Sequence, residues 1–229
     1  MVKRSSEGSD LILYGTQQTP YTEKVVRALR LKRLRFRLVE PERPEDFRRF
    51  SPKTGLLPVL AAGGESIPDS AAILDWLDAR FPDPPLLSAD PRAARDQRRL
   101  EQWVGETFSF YFLRWLRERA AEAGFAPADG PGPLARMGML GPDGQIRAEA
   151  FDTSDGGPGP EYERRLDDLV ALLGPRPFFH ADRISRADLA VFGFLNLLYT
   201  DRYTEGHTLL EARPALLDHT RRVDEATKA

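Results

Sequence analysis

Short apolar runs and helical stripes alternate from Leu11 to Pro82. Leu11-Ile12-Leu13-Tyr14, closed by Gly15, reads as a buried strand. A polar loop runs from Gly15 to Tyr21. Val25, Val26, Ala28 and Leu29 then fall on the inner side of a helix over 22–31. Phe36 and Leu38 point one way in a half-buried strand over 35–39, and a charged connection with a helical turn fills 41–50. The run Leu56-Leu57-Pro58-Val59-Leu60 is unusual because proline cannot donate to a ladder. It belongs at a strand's first residue, at an edge or at a bulge. Gly63-Gly64 predicts a hairpin turn, so a short strand around Ile67 pairs back. A helix follows with Ser70 as its N-cap and Ile73, Leu74, Leu77 and Phe81 on one face, and Pro82 ends it.

The second half is patterned as helices. Four prolines and no periodicity between Phe81 and Pro91 mark a linker, placed at 83–91. Leu100, Trp103, Val104, Thr107, Phe108, Tyr111 and Trp115 form the stripe of a long helix over 92–123. Residues 124–160 hold nine glycines and six prolines among 37, too many for a helix or a packed core. Gly141-Pro142-Asp143-Gly144 there reads as the turn of a small hairpin between Met139 and Arg147. A helix over 161–173 turns Leu166, Leu169, Val170 and Leu173 inward. Ser185 and Asp188 have capping-box spacing, with Ile184 and Leu189 at the staple positions. The helix they open, 189–198, is apolar nearly all round and belongs in the middle of a bundle. Pro214 to Ala226 is a last amphipathic helix.

Two local features bear on ligands. X-Pro is the bond where a cis peptide is cheap enough to be built in. A strand entered that way at Leu57-Pro58 turns the N–H and C=O of Leu57 outward, where an extended peptide can pair with them. The first amides of the helix after Asp69-Ser70, with its dipole, form an anion site. Together they suit a small peptide carrying a carboxylate.

The pattern Pro-Val-Leu, a turn, Ile-Pro-Asp-Ser and Ala-Ala-Ile-Leu-Asp-Trp-Leu resembles the second half of a glutathione S-transferase N-terminal domain. Phe178-Phe179 and the capped, apolar helix after Ser185 resemble the core of that family's C-terminal domain. The resemblance implies an α/β thioredoxin-like domain over 10–82, then an all-α helical bundle over 92–229 with an insert at about 124–160. It implies that Pro58 is cis, that Leu57 pairs with the cysteinyl backbone of glutathione, and that Asp69 and Ser70 hold its γ-glutamyl end. Thr19-Pro20-Tyr21 stands where many members carry Ser-Pro or Cys-Pro and an aromatic residue. Thr19 is therefore the first candidate to hydrogen-bond the thiol, Tyr14 the second and Tyr21 the third. Leu56 stands where many members carry Lys or Gln for the glycyl carboxylate, so Lys53 is the alternative contact. Phe108, Tyr111, Phe112 and Trp115 are the candidate wall of a hydrophobic substrate pocket, with the insert as a lid. The implied activity is conjugation of glutathione, a co-substrate, to a small hydrophobic electrophile, as in detoxification. The alternatives are a non-catalytic binding or assembly module that keeps the fold, and a glutathione-dependent peroxidase or isomerase. A homodimer is a further implication.

Composition narrows these readings. Of 229 residues, 41% are hydrophobic and 30% charged, with a net charge of −2, which is a globular balance with no nucleic-acid footprint. The absence of cysteine excludes disulfides, thiolate metal sites and a cysteine nucleophile. His180, His207 and His219 lack ligand spacing, so no metal is expected. No stretch reaches membrane-spanning length, and the expected location is the cytoplasm.

Overall fold

The computed structural model describes residues 11–17, 19–122, 158–200 and 204–228. The N-terminal part consists of β1 (Leu11–Tyr14), α1 (Pro20–Leu31), β2 (Phe36–Val39), α2 (Pro44–Phe50), β3 (Val59–Ala62), β4 (Glu65–Pro68) and α3 (Ser70–Arg80). The strands form one four-stranded sheet in the order β2-β1-β3-β4. β1 and β2 run parallel, joined by the α1 crossover, while β3 is antiparallel to β1 and β4 to β3. This is the thioredoxin-like layout. Leu11, Leu13, Leu60 and Ala62 on the sheet are buried with Val25, Ala28, Leu29, Ile73, Leu74 and Leu77 from α1 and α3.

The rest is helical: α4 (Pro91–Trp103), a π-helical turn (Val104–Phe108), α5 (Ser109–Glu122), α6 (Pro158–Leu173), α7 (Arg186–Tyr199), α8 (Thr204–Glu211) and α9 (Pro214–Ala226). The expected long helix is thus real but carries a π-turn in its middle. The expected hairpin between Met139 and Arg147, and most of the insert, lie outside the described residues. α7 is buried over most of its length, and Ser185 and Asp188 close the expected capping box. One correction concerns the start of α3. Asp69, not Ser70, is the N-cap, its Oδ1 accepting from the amides of Ala71 and Ala72 at 2.8 and 3.1 Å. α1 likewise starts at Pro20 rather than Thr22, because Thr19 caps it and proline suits the first helical position.

The helical part has a core of its own and also contributes to the one under the sheet. Leu86, Ile184, Leu189, Phe192 and Val223 from beyond α3 complete the cluster under the sheet. α7 lies so close to α1 that a Cβ on Gly193 would stand 2.3 Å from the carbonyl oxygen of Pro20. Only a residue without a side chain lets these two backbones meet. The C-terminal helix α9 is tied to α1 through Arg27, which bonds Asp224 Oδ1 at 2.7 Å and Thr227 Oγ1 at 3.0 Å and lies 4.5 Å from the centre of the Phe192 ring.

Replacing Gly193 by alanine should push α1 from α7 and lower stability by about 1–3 kcal/mol, read from urea unfolding. Asp224 gives an acid-side prediction. Burial raises its pKa, but the bonds to Arg27 and Lys228 outweigh burial and leave it below its ordinary 3.8. A lowered carboxylate pKa supplies stability that is present above the unfolded value and lost as pH falls through the folded one. Urea midpoints should therefore drop below about pH 4, and less steeply in Asp224→Asn.

Candidate functional site

The strand register gathers the site at one end of the sheet. Tyr14 pairs with Val59, and Val59 with Pro68. The next residues, Gly15, Pro58 and Asp69, therefore lie side by side beyond the ladder. The Leu57-Pro58 peptide bond is cis; Pro58 is buried and Leu57 half-buried. Asp69 is exposed and its backbone stands at φ 71, ψ 133. That lies outside the regions open to ordinary residues, and such a conformation costs about 1–3 kcal/mol. It aims the carboxylate at the helix start that it caps. Ser70, the first helical residue, is buried. Lys53 is exposed in the turn before the strand, and Leu56 is exposed as well.

The candidate hydroxyls are placed differently from one another. Thr19 is buried; its Oγ1 accepts from the Thr22 amide at 3.2 Å and donates to Thr22 Oγ1 at 2.8 Å. Tyr14 is on the sheet face towards α2, stacked on Phe50 with centroids 4.4 Å apart, away from α1. Tyr21 donates its phenol to the carbonyl of Gly105, in the π-turn, at 2.9 Å. Burial pushes this phenol above its ordinary value, helped by the Asp69 and Glu106 carboxylates and opposed by the Ser109 hydroxyl. Tyr21 is thus a neutral donor that sits within the electrostatic reach of Asp69.

The aromatic set on the long helix divides. Phe108, Phe112 and Trp115 are buried in the helical core against Tyr162, and the two phenylalanines also against Phe194. Of the four candidate pocket residues Tyr111 alone is half-buried, edge-on to Phe110, itself 40% exposed.

A buried ion cluster beneath α3 carries no apolar-pattern signal of its own. Lys24 Nζ of α1 meets Glu101 Oε1 of α4 at 2.7 Å, and Arg186 at the start of α7 bonds the other oxygen of Glu101. The Arg186 fork also reaches Asp75 of α3 and, at 3.1 Å, the carbonyl of Ala71 in its first turn. Burial pulls the Lys24 ammonium below its ordinary value, against the pull of Glu101 and Asp69 in the other direction. A trace was present in the sequence. Glu101 stands three and seven residues before Val104 and Phe108, and Lys24 four before Ala28, so both charges fall on apolar faces.

Residues 13–85 match the glutathione S-transferase N-terminal domain, and residues 161–222 match the C-terminal domain of the same family. The chain belongs to the glutathione S-transferase family. Among curated relatives, it is 29% identical to glutathione S-transferase U9 of Arabidopsis thaliana over 85 residues, 35% of each chain. The match thus spans about a third of that relative's length. Among solved structures, rice GST1 (OsGSTU1) in complex with glutathione aligns over 97% of this chain and 90% of its own, at 21% identity and a TM-score of 0.69. A sulfitobacter glutathione transferase homologue with bound glutathione aligns over 94% and 93%, at 20% identity and a TM-score of 0.63. At such identities the likeness is one of fold. Among the described residues no group of acidic or histidine side chains could hold a metal, and no helix is long and apolar enough to cross a membrane.

The ion cluster gives this site its prediction. Arg186→Met leaves one oxygen of buried Glu101 unpaired and Asp75 with Arg98 alone, and should cost about 3–5 kcal/mol in urea unfolding. Arg186→Lys should recover only part of this, because a single ammonium cannot serve three acceptors as a guanidinium fork does.

Proposed function

We propose that the chain binds glutathione across Pro58 and the start of α3, and joins its sulfur to a small hydrophobic electrophile. The observation that carries this reading is the backbone of Asp69. A residue held at a costly positive φ at a helix start supports this reading, because such strain clusters at ligand-binding sites. In this reading the Asp69 carboxylate meets the γ-glutamyl ammonium. The Ser70 amide and hydroxyl meet the γ-glutamyl carboxylate, with the dipole of the helix in support, while the Ala71 and Ala72 amides stay on Asp69. Leu57 pairs with the cysteinyl backbone, and Lys53 reaches the glycyl carboxylate in place of Leu56.

The thiol then falls near Thr19. Its hydroxyl donates to Thr22 Oγ1 at 2.8 Å, so its proton reaches the sulfur only if the Thr22 hydroxyl rotates and donates in its place. When Thr22 donates, both acceptor positions of Thr19 Oγ1 are filled by the Thr22 amide and hydroxyl, and its own proton is free for the sulfur. Hydrogen bonding to the charged form lowers the thiol pKa, and a lowering of two units corresponds to about 2.7 kcal/mol. The thiol proton leaves to solvent. The thiolate lone pair forms the carbon–sulfur bond, and the electron pair displaced goes to a leaving group or into the acceptor's own π system. In this reading half-buried Tyr111 is the residue of the aromatic set that can meet that acceptor, since Phe108, Phe112 and Trp115 are enclosed in the core.

A second reading, a binding module without turnover, is favoured by the same Thr19–Thr22 pair. With Thr19 donating to Thr22, both hydroxyls are engaged in holding the start of α1. Calorimetry with glutathione decides first: wild type should bind in the micromolar-to-millimolar range and Asp69→Ala should not. Absence of binding to wild type at several millimolar would overturn both the site and its chemistry. If binding is found, Thr22→Val should lower kcat/KM with a generic electrophile about tenfold and move its acid limb to higher pH, as loss of one net hydrogen bond to the relay requires. Binding with no turnover by wild type would favour the module.

A further inference from the structure

The π-helical turn lies opposite the turn that carries Thr19. A π-turn inserts one residue into an α-helix and recurs at functional sites. Here it spans Val104–Phe108, and the carbonyl of Gly105 within it accepts two side-chain donors. One is Ser109 Oγ, four residues on in the same helix, at 2.7 Å. The other is the phenol of Tyr21, from 84 residues away in the chain, at 2.9 Å. Beneath the phenol, the ring of Tyr21 packs edge-on against Phe194 of α7, with centroids 5.8 Å apart. Pro20, one residue back, rests on Gly193 of the same helix. The segment Thr19-Pro20-Tyr21 is therefore clamped by α7 from below and by the π-turn at its tip.

We propose that Tyr21 is a positioning residue: its bond to the π-turn carbonyl fixes the Thr19 hydroxyl where the thiol is met. This rests on the glutathione reading of the site. The phenol does not itself reach the sulfur in this scheme, because its one proton is given to Gly105. It holds the first turn of α1 at a set distance from the long helix, and so holds the cap residue at the beginning of that turn. A regular α-helix would keep the carbonyl of residue 105 for its own ladder. The π-turn and Ser109 together aim it outward instead.

Tyr21→Phe is the test, since it removes the hydroxyl and keeps the ring on Phe194. Two readouts are needed. Backbone amide exchange needs no activity: the amides of Thr22 and Glu23, bonded to Thr19, should exchange at least fivefold faster in the variant, and those of α3 should not change. The kinetic readout, on an active wild type, should show kcat/KM reduced about tenfold and its acid limb moved to higher pH, with the glutathione Kd changed less than twofold. Unchanged exchange at Thr22 and Glu23 would overturn the proposal. So would faster exchange with an unmoved pH profile in an active enzyme. If wild type binds no glutathione, the functional reading fails by itself, and exchange still decides whether the phenol positions the turn.

Discussion

The close approach of α1 to α7 is the contact on which the rest of the molecule depends. Gly193 allows it, and buried charges frame it. On one side buried Lys24, Glu101 and Arg186 link α1, α4 and α7, and Arg186 reaches out to exposed Asp75 of α3. On the other, Arg27 joins α1 to α9. Charges removed from water at this depth are costly unless each finds a partner, so the helices carrying them can meet in few ways. That specificity is what the candidate site needs. The start of α1 and the start of α3 must hold their separation, and the same few side chains reach both.

Much of the fold was legible because burial writes a period into sequence. Leu11 to Tyr14, the Pro58 strand and its Gly63-Gly64 turn, and the stapled α7 all follow local rules. At the candidate site the cis bond before Pro58 was legible, because a proline inside an apolar run is a local signal. The cap of α3 was misread by one residue, because Asp and Ser are both good caps and only the backbone turn at Asp69 selects between them. The π-turn was hidden for a different reason. It keeps apolar residues near the stripe, and nothing in Val104-Gly105-Glu106-Thr107-Phe108 announces an extra residue except a mid-helix glycine.

The aromatic residues show the limit of stripe reading. Phe108, Tyr111, Phe112 and Trp115 lie near one stripe, yet three are enclosed and Tyr111 is half-buried. A helical stripe tells which side of a helix is apolar. It does not tell whether that side meets another helix or a cleft, because the answer depends on Tyr162 and Phe194, far along the chain.

The two oxygens of Glu101 have a consequence for how such a chain can be recombined. One oxygen serves a lysine of the first half and the other an arginine of the second, while that arginine returns to the first half at Asp75. A chimera that joins this N-terminal half to another family member's helices would inherit a broken circuit unless the partner supplied matching charges. The unit of exchange is therefore not the half-chain divided at the linker. It is the set of Lys24, Asp75, Glu101 and Arg186, which has to travel together or be replaced by apolar residues as a whole.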